Sequence, residues 1–286
     1  MPDTRSRILG EQQGWAARRG IAVDGSGYTQ DLDANLFQPL HPETMAGFQR
    51  GGGDELGRKV RALHSSSALV VNTFDDWRSR PMDWLAGAMP LGSEPSSLRF
   101  EAQFHTGLQG NPPNLDVAFL LVDGRTVAVE SKFTETYAHT SHAVPFKDKY
   151  FATGEGLWHA RGLPRCQELA ARLRNQEIQF RYLNAAQLLT HSLGLAKCLG
   201  GRFALVYLWY AFPSEEAKKH EEEINAFAEG VGTELDFRAL TYQQLFSPAL
   251  SGIGPGHDSY VSYLTERYLP GHDGNSRGAG YTDAWA

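Results

Sequence analysis

The stretch Asn114 to Phe133, NLDVAFLLVDGRTVAVESKF, leaves the chain little freedom. Two runs of apolar and β-branched residues flank Asp123-Gly124, a dipeptide suited to the tight turn between antiparallel strands. Upstream, SLRFEAQF (Ser97 to Phe104) alternates as a third strand, separated from the pair by the loop GLQGNPPN. Three consecutive strands with short connections make an antiparallel meander, so the fold is built around a sheet.

The same stretch carries charges that a hairpin would not choose for packing. Alternation places Glu130 and Lys132 on one face of their strand and Ser131 on the other, with Val127 and Val129. Asp116 opens the preceding strand, and the turn brings the start of that strand beside the end of the next. Two carboxylates held close raise each other's pKa unless a cation sits between them. All-oxygen ligation of this kind suits Mg²⁺ or Mn²⁺. A lysine on the same face can orient or deprotonate a water, or stabilise charge developing on a phosphorus centre. Asp, then Glu-x-Lys on the next strand, is a physical recipe for metal-assisted phosphodiester hydrolysis.

The flanking segments predict helices around the sheet. From Asp54, DELGRKVRALHSSSALVVNTFDDWRS has apolar residues at helical spacing, with Asp54 as N-cap and a break at the serines. From Cys166 the chain reads as helical over most of its length to Gly200-Gly201. RFALVYLWYAF follows as a strand buried on both faces, and Ser214-Glu215-Glu216 open another helix. DSYVSYLTERYL is a last helix. The order helix, three strands, helix, strand, helix predicts an α/β fold with a central mixed sheet flanked by helices.

In these residues the sequence resembles the PD-(D/E)XK nuclease superfamily, the fold of many restriction endonucleases. The matching residues are Asp116 in NLD and Glu130-Ser131-Lys132 in VAVESKF, and the element order is similar to that superfamily's α-β-β-β-α-β core. Asn114-Leu115 stands where the superfamily's name has proline. The resemblance implies Mg²⁺- or Mn²⁺-dependent cleavage of nucleic acid, DNA first, with Asp116 and Glu130 as metal ligands and Lys132 positioning water or stabilising charge. It also implies a further acid, either Glu101 on the first strand or Glu55 in the first helix, and a polar helix residue near the site, for which Gln187 stands. Arg181 and His105 are candidate substrate contacts, and Arg161, Arg165, Arg172 and Arg174 share the helical region of Arg181. A non-catalytic nucleic-acid or protein interaction module on the same fold is the alternative reading, and a homodimer is compatible with either.

The net charge of −6 argues against a protein that coats nucleic acid broadly, though not against a local basic groove. Two cysteines, Cys166 and Cys198, exclude a disulfide framework and a cysteine-rich zinc module. His139 and His142 lack the further ligands a zinc site needs. No window approaches twenty apolar residues and the opening segment has no signal-peptide core, so the expected address is the cytoplasm, with no membrane contact. The expected organisation is an N-terminal irregular and helical extension (1–53), a nuclease-like domain (54–269) with an insertion near 134–165, and a flexible tail (270–286).

Overall fold

The computed structural model of the chain describes residues 2–50, 56–79, 82, 87–89, 91–138, 146–151, 154, 156–246 and 258–269. Its centre is a five-stranded sheet in the order β1-β2-β3-β4-β5, formed by Pro95–Gln103, Asn114–Leu121, Thr126–Lys132, Phe203–Trp209 and Phe237–Thr241. The first three strands run antiparallel, as the meander predicts, and β3-β4 and β4-β5 are parallel. Parallel neighbours need a crossover. Helices α4 (Pro164–Arg174) and α5 (Ala185–Leu199) supply it between β3 and β4, and α6 (Glu215–Val231) between β4 and β5. Every residue of β4 is buried, consistent with a strand covered on both faces.

Helices cover the two faces of the sheet. On one, Phe74 of α3 (Ser66–Phe74) meets Phe119 edge-on at 5.5 Å, on the Val117 and Val129 face. On the other, α5 brings His191 to within 3.0 Å of Glu130. Gly194 lies three residues further along α5, where a Cβ would overlap the Phe104 carbonyl oxygen just past β1. Alanine is normally the better helix residue by about 1 kcal/mol. Here Gly194→Ala is expected to destabilise by about 1–3 kcal/mol through overpacking, read as a lower denaturation midpoint with an unchanged slope.

Three features depart from the sequence reading. The helix expected from Asp54 begins only at Ser66. The serines expected to break it cap it instead, Ser65 Oγ accepting from the Ser67 and Ala68 N–H groups, while Lys59–Arg61 is a single 3₁₀ turn. Asp54 and Glu55 lie outside the described residues, as do His139, His142 and the tail from Pro270. The helical region after Cys166 is two helices, α4 and α5, with 175–184 between them. Strand β5 was not foreseen, being short and half-buried throughout.

The N-terminal region, expected to be irregular with one or two short helices, holds the fifteen-residue α1 (Thr4–Arg18) and α2 (Pro42–Arg50). Asp3 caps α1 by accepting from the Ser6 N–H. The buried face of α1 includes Thr4 and Gln12 beside Ile8, Trp15 and Ala16, so apolar periodicity is weak. Polar burial is supported by Arg267 of α7 (Asp258–Tyr268), whose Nε donates to Gln12 Oε1 at 3.0 Å and whose carbonyl accepts from Gln12 Nε2 at 2.9 Å. Among the described residues no helix is long and apolar enough to cross a membrane.

Candidate active site

Register decides which charges meet. Phe100 pairs with Val117 and Ala102 with Leu115, so Glu101 and Asp116 occupy the step between. Val117 pairs with Val129, which puts Asp116 and Glu130 at the next step along that pair. Glu130 in turn pairs with Tyr207 of β4. Glu101, Asp116 and Glu130 therefore form a row across three adjacent strands. Glu101 holds a left-handed backbone at φ +50°, a conformation costing a non-glycine residue about 1–2 kcal/mol. Its Oε2 accepts from Asn114 Nδ2 at 2.9 Å.

The row is tightly tied. Asp116 Oδ2 accepts from the Ser131 N–H at 2.6 Å, and Lys132 Nζ donates to Glu130 Oε1 at 2.5 Å. His191 Nε2 lies 3.0 Å from the other Glu130 oxygen. Behind them, the Ser131 and Tyr242 hydroxyls are 2.7 Å apart on the opposite face. His191, fully buried, is the site residue that sequence reasoning missed; its signal was a histidine one helical turn after Gln187, on the helix already assigned to the site.

Electrostatics separates the two central acids. Burial, then the charge of Glu130 and more weakly that of Glu101, hold Asp116 well above the usual carboxylate range, against the pull of Lys132 and the Ser131 N–H. Burial would also raise Glu130, but Lys132 and His191 together bring it down to about 2. Lys132 is half-buried, and desolvation would lower it, yet Glu130, Asp116 and Glu135 hold its ammonium above the ordinary lysine range.

These shifts have opposite consequences for stability. The depressed Glu130 contributes stability that is fully present above its ordinary value of 4.5 and is lost as pH falls towards about 2. The raised Asp116 binds its proton more tightly folded than unfolded, so its contribution declines as pH rises from 3.8. Glu130→Gln is therefore expected to flatten the loss of stability below pH 4.5, measured by urea denaturation across an acid series.

Glu101, Asp116, Glu130, Lys132 and Gln187 line one cavity of about 630 Å³, to which the chain ahead of the sheet adds Arg5, Tyr28, Lys59 and His64. Gln187, half-buried on α5, lines the same cavity as the acids. His105 and Arg181 are not among the lining residues. His105 is exposed beyond β1; the exposed Arg181 has its guanidinium over the Tyr182 ring and its backbone N–H on Glu223. Arg165 donates to the Gly230 and Glu229 carbonyls and Arg174 pairs with Asp148, so these arginines serve the helical layer. Glu135 caps backbone, accepting from the Ser66 and Phe133 N–H groups. A smaller recess near Trp15 and Tyr263, about 340 Å³, carries no acidic side chain. Among the described residues no three histidine, cysteine or acidic side chains already converge as metal ligands.

A mixed sheet with an acid row and Glu-x-Lys on its third strand, flanked by helices, defines a restriction-endonuclease-like domain of the PD-(D/E)XK superfamily. The chain belongs to the family described as restriction endonuclease associating with ARP, whose profile matches residues 17–269. That membership places it among nucleases. No curated protein and no solved structure matches the chain.

Proposed function

We propose that the chain is a divalent-metal-dependent endonuclease that hydrolyses phosphodiester bonds, with DNA as substrate. The observation that carries the reading is the meeting of Glu101, Asp116, Glu130 and Lys132 at one cavity across three adjacent strands.

The donor set fits a hard divalent cation. Its donors are all carboxylate oxygens, and the high proton affinity of Asp116 arises from burial beside two like charges, an imbalance that a cation offsets. Asp116 and Glu130 would hold the ion, with Glu101 as the third acid. When bound, Mg²⁺ or Mn²⁺ supplies Lewis-acid polarisation of the phosphate and lowers the pKa of a coordinated water.

The chain's own residues supply the rest. Lys132 is held protonated by its acidic neighbours, so it acts as a fixed positive charge that orients the attacking water and stabilises the developing phosphorane, and not as a base. His191 stands 3.0 Å from the second oxygen of Glu130, at the back of the acid row. Gln187 offers an amide at the same cavity for water or a phosphate oxygen.

Plasmid DNA with Mg²⁺ tests the reading directly. The wild type is expected to cut and Asp116→Ala to lose cutting by about a hundredfold or more. Equal activity in wild type, Asp116→Ala and Lys132→Ala would sink it, and absence of both cutting and Mn²⁺ binding by calorimetry would leave a binding module instead.

A further inference from the structure

We infer that Arg5 and Lys59 form a phosphate-binding wall of the catalytic cavity, so that the chain ahead of the sheet grips the nucleic-acid backbone beside the bond being cut. The inference rests on the nuclease reading above and deepens it. A polyanion approaching the acid row meets Glu101, Asp116, Glu130 and Glu135, with Lys132 as the cation among them and already engaged by Glu130. A protein of net charge −6 must therefore concentrate positive charge locally. The arginines of α4 and its neighbourhood do not line this cavity, whereas Arg5 and Lys59 do, and both are exposed to solvent there.

Both cations stand on pinned backbone. Arg5 follows Thr4, whose N–H donates to Glu216 Oε2 at 3.2 Å, and α1 is further held by Gln12 on Arg267. Lys59 opens the 3₁₀ turn that Asn35 fastens by donating to the Val60 and Ala62 carbonyls at 2.6 and 3.0 Å. Arg61 Nε adds a bond to the Thr29 carbonyl at 2.9 Å. Two charges presented by fixed elements lose less freedom on binding than charges on a loose tail. The positive field of Arg5 reaches into the cavity: after burial, it is the next cause holding His64 below its usual pKa.

Binding of a short fluorescein-labelled duplex of random sequence, with Ca²⁺ replacing Mg²⁺, is measured by anisotropy over a salt series. Arg5→Gln/Lys59→Gln is expected to bind about tenfold or more weakly and to show a salt slope shallower by about two, one for each phosphate that is no longer neutralised. Its melting temperature is expected to match the wild type, because both side chains are exposed, and Arg5→Lys/Lys59→Arg is expected to retain the wild-type slope. An unchanged slope in the glutamine variant, with a wild type that binds or cuts, overturns the wall alone. A wild type that neither binds the duplex nor cuts plasmid overturns the nuclease reading, and the wall falls with it.

Discussion

Lys132→Ala is expected to reduce plasmid cutting by about a hundredfold or more, because it removes the fixed charge that stabilises the transition state. It also leaves the buried Glu130 with His191 as its remaining neighbour of opposite tendency. Taking away one member of a buried pair costs about 3–5 kcal/mol, so the variant is expected to melt lower at neutral pH. The metal adds a discriminating readout. In the wild type Lys132 occupies Glu130 Oε1; in the variant that oxygen would be open to a cation. Mn²⁺ is therefore expected to raise the melting temperature of Lys132→Ala by more than it raises that of the wild type. A smaller rise would show that Glu130 and the metal do not meet.

The second large effect is far from the acids. Arg267 is 1% exposed and, among the described residues, makes no salt bridge to a carboxylate. Its guanidinium instead donates to Gln12 Oε1, the Asn35 carbonyl, Asn35 Oδ1 and the Tyr263 hydroxyl, and it lies 4.2 Å over the Trp15 ring and 4.9 Å over that of Tyr268. Arg267→Met would fill much of the same space but leave those acceptors unsatisfied, each at a cost of about 1–3 kcal/mol. A total loss of at least about 3 kcal/mol is expected. For a domain of this size that is a fall in melting temperature of roughly 6–12 °C. Loss of DNA binding at temperatures where the sheet remains folded would show that α1 detaches first.

Much of the acid site was legible because β-structure has a period of two. Alternation alone set Glu130 with Lys132, and the turn at Asp123-Gly124 brought the start of one strand beside the end of the next, while the register that puts Asp116 on the Glu130 face is seen only in the structure. Glu101 and Glu55 stayed open as the further acid, strand adjacency favouring Glu101, whose left-handed backbone had no sequence signal, since glutamate is not a residue that favours that conformation. His191 was hidden because an i+4 relationship to Gln187 gains meaning only once the helix is known to face the acids. The N-terminal contribution was hidden for a different reason. Thr4, Gln12 and Asn35 are polar residues made burial-competent by partners more than two hundred positions away, and apolar periodicity cannot report a hydrogen bond of that span. Arg181 and His105, the substrate contacts expected from the sequence, do not line the cavity.

The bond between Gln12 and Arg267 joins the first helix described to the last. On a ribosome α1 emerges well before α7 and has no mate for its buried polar face until α7 follows. The strands carrying Glu101, Asp116, Glu130 and Lys132, and the helix carrying His191, are all synthesised in between. A chain made as far as α5 can thus assemble its acids before it can seat Arg5 beside them, and translation itself delays a complete cavity until α7 has been made.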